Sequence, residues 1–250
     1  MNSFQGKVSI VTGATSGIGR ATAILLAKKG SKVVISGRRE AEGAEVVSEI
    51  AKLGGEAIFV KTDVTSKQDV KNLVDKTISQ FGKVDVAILN AGVFRFTPIA
   101  EQTGNDLQNQ IDVNVVGAYY SLQHVSRAFG ENGGSIVFTS SVVGDTGLPN
   151  ASAYSLTKGA INSLTRAAAI ELAGAKIRVN AVAPGPIWTE GTETLTGNRE
   201  NFENFMAPMV PMGRVGEESE VAEAIAFISS DAASFITGQV LNVDGGLGVR

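Results

Sequence analysis

Between a β-branched run (Val8, Ile10, Val11) and a stretch of helix formers from Ala21 to Lys29 lies Thr12-Gly13-Ala14-Thr15-Ser16-Gly17-Ile18-Gly19. A glycine-rich turn in that place lets the backbone pass tightly from strand into helix, and leaves N–H groups and the positive helix end facing outward. Strand, turn and helix of this kind open an α/β sheet. The alternation continues with Lys32 to Ser36 as strand, Glu40 to Leu53 as helix, Glu56 to Lys61 as strand, Ser66 to Phe81 as helix and Val84 to Leu89 as strand. A long helix near Leu107 to Phe129 follows, then strand Ser135 to Thr139, helix Ser152 to Ala173, strand Lys176 to Ala183, helix Glu218 to Ser230 and strand Gln239 to Val243. Apolar strands alternating with amphipathic helices predict a doubly wound, seven-stranded parallel sheet, an α/β architecture covered on both faces. All six prolines stand at or beyond Pro98, none inside a strand or long-helix interior, and no low-complexity tract marks a linker. The expectation is a single domain over residues 1–250.

Composition narrows the chemistry. The 22 basic and 25 acidic residues give a formal net charge of -3, which argues against a nucleic-acid footprint or a basic membrane-binding surface. Cysteine is absent and His124 is the single histidine, so disulfides, thiolate ligands and a His-rich metal site are all excluded, and no metal is expected. His124 reads as a helix-surface or interface side chain without a catalytic role. The segment Met1 to Lys7 is polar, and no apolar run approaches the roughly 20 residues of a membrane span. A soluble, cytoplasmic protein acting on small molecules is the expectation.

Tyr154-Ser155-Leu156-Thr157-Lys158 places a phenol and an ammonium four apart at a helix start, hence on one face. The free phenol pKa is about 10, and a neighbouring cation lowers it toward the range useful in general acid–base catalysis. Taken alone, such a pair also describes a solvated helix face. Ser141 precedes Tyr154 by thirteen residues and follows the strand Ser135 to Thr139, at the carboxyl edge where open α/β sheets bind ligands. Its hydroxyl can hold a substrate oxygen.

With these motifs in order over Gly6 to Gly246, the chain resembles the classical short-chain dehydrogenase/reductase family, whose domain is a Rossmann fold. The resemblance implies a catalytic set of Asn114, Ser141, Tyr154 and Lys158. It also implies a cofactor held by Gly13, Thr15, Ser16, Gly17, Ile18 and Gly19, and by the Asn90-Ala91-Gly92 element. Asp63 and Val64 would hold the adenine; Pro184-Gly185, Ile187 and Thr189 would flank the nicotinamide, with Tyr154 and Lys158 beside its ribose. In the implied reduction Ser141 orients the carbonyl, Tyr154 gives it a proton as hydride arrives, Lys158 binds ribose and depresses the tyrosine pKa, and Asn114 positions a water of the proton relay.

After the second strand, Ser36-Gly37-Arg38-Arg39 puts glycine where an acidic residue would bind the adenosine 2′-hydroxyl and repel a 2′-phosphate. Arg38 can meet that phosphate with a planar fork and Ser36 can add a hydrogen bond, so NADP(H) is expected over NAD(H). Ser16 is not the Lys or Arg that many NADP-using relatives carry there, which keeps NAD(H) open.

Phe202, Phe205, Met206, Met209 and Val210 fall at one helical face, with Pro208 and Pro211 ending or bending it. By resemblance the region around 188–215 is a substrate lid. Phe94, Val142, Val143, Leu148, Trp188, Phe205, Met206 and Met209 are then expected as walls for a modest, apolar ketone, aldehyde or alcohol. On the long helix, Leu107, Ile111, Val115, Ala118, Leu122 and Val125 form one apolar stripe, while Val116 and Tyr119 add a second face. A homotetramer, or at least a dimer, is expected to cover it, as family members pair these helices. Two other functions share the motifs. One is a 3-oxoacyl-[acyl-carrier-protein] reductase, whose basic docking residues would fall at Asn132 and Ala175, with Lys176 and Arg178 close by. The other is a non-catalytic dinucleotide sensor, which typically lacks the tyrosine or lysine present here.

Overall fold

The computed structural model describes residues 3–249; Met1, Asn2 and Arg250, part of the single domain expected over residues 1–250, lie outside them. The chain forms β1 (Val8–Thr12), α1 (Gly17–Lys28), β2 (Lys32–Gly37), α2 (Glu40–Lys52), β3 (Glu56–Lys61), α3 (Lys67–Phe81) and β4 (Val86–Leu89). Then come α4 (Gly104–Ile111), a π-helical turn (Asp112–Val116), α5 (Gly117–Ser126), β5 (Gly134–Thr139), the short α6 (Val143–Thr146), α7 (Ser152–Leu172) and β6 (Ile177–Pro184). After β7 (Ile187–Trp188), α8 (Glu190–Thr196), α9 (Arg199–Met206) and β8 (Gly216–Glu217), the chain closes with α10 (Glu218–Ser229) and β9 (Val240–Val243).

Seven strands pair in parallel in the order β3-β2-β1-β4-β5-β6-β9. Alternate strand residues feed two cores. Val11, Val33, Ile35, Ile88 and Val137 pack with α1 and α10, while Ile10, Val34, Ala87, Ile136 and Phe138 pack with α3, α5 and α7. Both faces are dry, so the strands read as continuous apolar runs. The order reverses between β1 and β4, so a crevice opens at the carboxyl ends of those two strands. β7 and β8 form a separate two-stranded parallel ladder beyond the seven expected strands.

Two of the differences from the expected elements have local causes. Lys176 takes a positive φ of 60° and turns the chain, so β6 starts one residue later, at Ile177. The single long helix near Leu107 is broken by the π turn, which inserts a residue and rotates the faces on either side. Its buried positions in that stretch are therefore Gln110, Val113, Asn114 and Gly117, and the expected stripe Leu107, Ile111, Val115 and Ala118 is left only half-buried.

Candidate active site

The glycine-rich turn is built by close backbone approach. Gly13 and Gly17 have φ of +64° and +60°, the left-handed region in which a side chain is strained. A Cβ on Gly19 would stand 2.3 Å from the Gly13 carbonyl oxygen and 2.5 Å from Asn90 Nδ2, so α1 can start where it does only with glycine there. Asn90 ties the neighbouring strand to the turn: its Nδ2 donates to the carbonyls of Thr12 (3.1 Å) and Gly13 (3.2 Å), and its Oδ1 accepts from the Thr139 hydroxyl at 3.0 Å. The Thr12 hydroxyl in turn accepts from the Asn90 and Ala91 N–H groups.

Around this turn lies a cleft of about 390 Å³, lined by Gly13, Thr15, Ser16, Gly17, Ile18, Ser36, Arg38, Asp63, Val64, Asn90, Ala91, Gly92, Tyr154, Lys158 and Thr189. All of these were expected from sequence. Gly37, Arg39, Thr62, Val93, Phe94, Val113, Thr139 and Gly191 also line it and were not assigned to a cofactor. Gly19 and Pro184 do not line it: Gly19 is covered by Gly13 and Asn90, and Pro184 ends β6 inside the sheet. Gly185 and Ile187 face a second cavity instead.

A dinucleotide fits the first cleft on two counts. Its floor is a glycine cradle that a Cβ would fill, and the Ser36 hydroxyl beside it is buried with no hydrogen-bond partner among the described residues. Arg38 is exposed at the same end. Burial pulls the Asp63 carboxyl up, but hydrogen bonds from the Thr65 N–H and hydroxyl, with the Arg38 charge, outweigh it and hold Asp63 below the usual range.

The second cavity, about 460 Å³, is walled by Phe94, Phe96, Val142, Val143, Leu148, Phe202, Met206 and Met209. Among the described residues, Thr146, Thr192 and Tyr154 are its side-chain polar groups, and none that lines it is charged. Tyr154 and Phe94 are common to both cavities. Phe94 stacks on Phe96 at 5.7 Å, and both rings stand edge-on to Tyr154 at 6.0 and 6.1 Å. Two expected walls are corrected. Phe205 is 65% exposed because α9 ends at Met206 and turns Phe202 and Met206 inward, and Trp188 packs on Phe202 at 5.7 Å outside the cavity lining.

Tyr154 shares a hydrogen bond with Ser141, and Lys158 Nζ donates to the Thr139 carbonyl at 2.8 Å, 5.5 Å from the Tyr154 ring centre. Ser141 is buried and absent from both cavity linings, so it reaches the site through Tyr154. Burial pushes the Tyr154 phenol up to about 12 and the Lys158 ammonium down to about 8. The expected depression of the tyrosine pKa is therefore not a property of this cleft, because desolvation outweighs the Ser141 hydrogen bond that favours phenolate. Asn114 lies in the π turn, buried, with its side chain fully engaged. Its Oδ1 accepts from Val93 N–H and its Nδ2 donates to the Val93 carbonyl, both at 2.8 Å, and also to the Thr157 hydroxyl at 3.0 Å. It clamps the loop after β4 onto α7 and lines neither cavity.

The Lys158 value carries a pH dependence. Burial favours the neutral amine, so the cation is present at low pH and lost as pH rises through about 8, while Tyr154 keeps its proton to about 12. In carbonyl reduction, kcat/KM for the cofactor is expected to be flat below neutrality and to fall above about pH 8. In Lys158→Arg the guanidinium stays charged, and the alkaline limb should vanish from whatever rate remains. An unchanged limb in that variant would assign it to another group.

Residues 13–248 match the family model described as Enoyl-(Acyl carrier protein) reductase. The chain is a classical short-chain dehydrogenase/reductase. It is similar to a cis-4-hydroxycyclohexanecarboxylate dehydrogenase of Sinomonas cyclohexanicum, 42% identical with 97% of each chain covered. It is also similar to a 3-oxoacyl-[acyl-carrier-protein] reductase of Synechocystis, 40% identical with 99% of each covered. Among solved structures, a short-chain type dehydrogenase/reductase from Mycobacterium marinum superposes with a TM-score of 0.93 at 33% identity, over 98% of this chain and 97% of that one. This short-chain dehydrogenase/reductase is thus an NAD(P)-dependent oxidoreductase acting on CH–OH groups, not a non-catalytic sensor. Among the described residues no cluster of three or more metal-ligating side chains occurs, and no helix is long and apolar enough to cross a membrane.

Proposed function

We propose that this enzyme interconverts an uncharged apolar ketone or aldehyde and its alcohol, with NADP(H) preferred. The observation that carries the reading is Tyr154, among the described residues the one proton-bearing side chain common to the polar glycine-floored cleft and the apolar cavity. When bound, the nicotinamide supplies the hydride. Tyr154 donates its phenolic proton to the carbonyl oxygen; Ser141 holds the tyrosine hydroxyl and orients it. Lys158, anchored by Thr139, supplies the cation beside the developing alkoxide and holds the ribose. Asn114 keeps Val93 and Gly92 in register with α7. The helices α8 and α9 act as the lid, closing the apolar cavity with Thr192, Leu195, Phe202 and Met206.

NADP(H) preference rests on Gly37 in place of an acid, the unpartnered Ser36 hydroxyl and the exposed Arg38 guanidinium. One charge-assisted phosphate contact contributes roughly 1.5–3 kcal/mol, so kcat/KM should favour NADPH over NADH by about ten- to a hundred-fold. Arg38→Ala should erase most of that margin. A wild-type preference for NADH, or an unaltered margin in the variant, would reject it.

A 3-oxoacyl-[acyl-carrier-protein] reductase is the second reading, favoured by the Synechocystis relative. The docking positions expected from sequence do not bear on this chain's own cleft. Asn132, Lys176 and Arg178 line a different hollow at the amino ends of β5 and β6, and Arg178 spends its guanidinium on the carbonyls of Ile228, Ser229, Ser230 and Ile236.

We also infer self-association. Tyr119 and Leu156 on α5 and α7 are 51% and 56% exposed, and Phe227 and Phe235 near the chain end are 48% and 103% exposed, apolar area that a partner copy would cover. Light scattering should give a dimer or tetramer at micromolar concentration; a monomeric mass would refute it.

A further inference from the structure

Arg39 is the most heavily engaged cation of the cofactor cleft. It precedes α2 as its N-cap residue and turns back across the cleft, where its guanidinium reaches the glycine turn. Nη2 donates to the Ser16 hydroxyl at 2.6 Å and to the Thr15 hydroxyl at 3.2 Å, and Nε donates to Thr15 at 3.3 Å. Nη1 meets Glu190 Oε1 at 2.8 Å and Glu42 Oε1 at 3.5 Å. Glu190 is the first residue of α8, so this pair joins two elements 151 positions apart across the mouth of the cleft.

The surroundings place Arg39 beside the end that would receive an adenosine 2′-substituent. A Cβ on Gly37 would lie 2.8 Å from Thr15 Cγ2, so Thr15, which Arg39 holds, sits directly against the end of β2 with Ser36 and Arg38. Glu190 lowers the anion affinity of that end by occupying one face of the Arg39 fork, so that the guanidinium must leave the carboxylate to meet a phosphate. Each partner shifts the other accordingly: the hydrogen bond with Arg39 lowers the Glu190 carboxyl, and the hydrogen bond with Glu190 raises Arg39.

We propose that Arg39 and Glu190 form a charge clasp that a 2′-phosphate opens, making Arg39 a second specificity-determining residue for NADP(H) and Glu190 its internal competitor. The proposal rests on the reading of this cleft as the dinucleotide site. Both side chains are about half exposed, Arg39 at 39% and Glu190 at 59%, so their ion pair is a weak one, worth at most about five-fold in an equilibrium. A dianionic phosphate offers the same guanidinium a stronger, two-pronged partner, and so displaces the carboxylate. Because Arg39 stands outside the body of α2 and Glu190 only begins α8, the pair can part without unfolding either helix.

The test is titration calorimetry of the full chain with 2′,5′-ADP, which carries the 2′-phosphate, and with 5′-AMP, which lacks it. Wild type, Arg39→Ala, Glu190→Gln and the double variant are compared. Glu190→Gln should tighten 2′,5′-ADP by about two- to five-fold and leave 5′-AMP unchanged. Arg39→Ala should weaken 2′,5′-ADP by about ten-fold or more, again sparing 5′-AMP. The double variant should match Arg39→Ala, since a competitor without its cation has nothing to withhold. Equal or weaker 2′,5′-ADP binding in Glu190→Gln, or a double variant in which the two effects simply add, overturns the clasp. Equal binding of the two ligands by wild type would instead defeat the NADP(H) preference, and the clasp would still be decided by the Glu190→Gln arm.

Discussion

Tyr154→Phe is expected to lower kcat by about a thousand-fold or more while NADPH binds within a few-fold of wild type. The ring stays where it is, because Phe94 and Phe96 hold it edge-on and a phenylalanine fills nearly the same volume. What disappears is the hydroxyl that Ser141 orients and that stands between the two cavities. With its pKa held near 12 by burial, that hydroxyl is a protonated donor across the whole working range, and among the described residues no other acidic proton faces both cavities. Steady-state rates together with fluorescence titration of NADPH separate the two effects. Retention of even a tenth of the activity would mean that the proton comes from elsewhere.

Gly19→Ala should cost the protein its cofactor. The new methyl would lie 2.3 Å from the Gly13 carbonyl oxygen and 2.5 Å from Asn90 Nδ2, and the first of these is backbone that cannot swing aside. Relief requires α1 to back away from the turn, which spoils the N–H array at its start and breaks the Asn90 bonds to the Thr12 and Gly13 carbonyls. Overpacking of this kind destabilises by about 1–3 kcal/mol, a fall of roughly 2–12 °C in Tm for a chain of this size. Dinucleotide affinity should drop by about a hundred-fold, because the phosphate-facing amides are displaced. Gly174→Ala, whose Cβ would meet nothing within 4 Å, is the matched control and should alter neither quantity. Unchanged Kd and Tm in Gly19→Ala would show that the turn tolerates a side chain.

The strands were legible because each is an uninterrupted apolar run, as a sheet buried on both faces requires, and Val33-Val34-Ile35 serves one core with Val34 and the other with its neighbours. The Tyr154 and Lys158 pair was legible through helical spacing alone. The π turn at Asp112–Val116 was not, since an inserted residue leaves composition and periodicity almost intact while rotating Asn114 into the interior. The environment that sets the Tyr154 pKa was also hidden: four-residue spacing shows that Lys158 is near, but not that both groups are desolvated and that Lys158 donates to the Thr139 carbonyl. Phe205 failed as a wall for a similar reason, because the apolar face it shares with Phe202 is cut short when α9 ends at Met206. Arg39 was visible as a basic residue beside Arg38, yet its route to Ser16 and Glu190 depends on a chain reversal that only the fold supplies.

In the proposed reaction Tyr154 couples a dinucleotide cleft to an apolar cavity. The most direct measurement of that coupling is the consumption of NADPH by the purified enzyme over a panel of uncharged cyclic, aryl and aliphatic ketones, with a charged sugar phosphate and an acetoacetyl thioester alongside. Ketone-dependent oxidation of NADPH is expected, fastest with the uncharged ketones and absent in Tyr154→Phe. Turnover confined to the charged substrate, or equal rates in wild type and Tyr154→Phe, would contradict it.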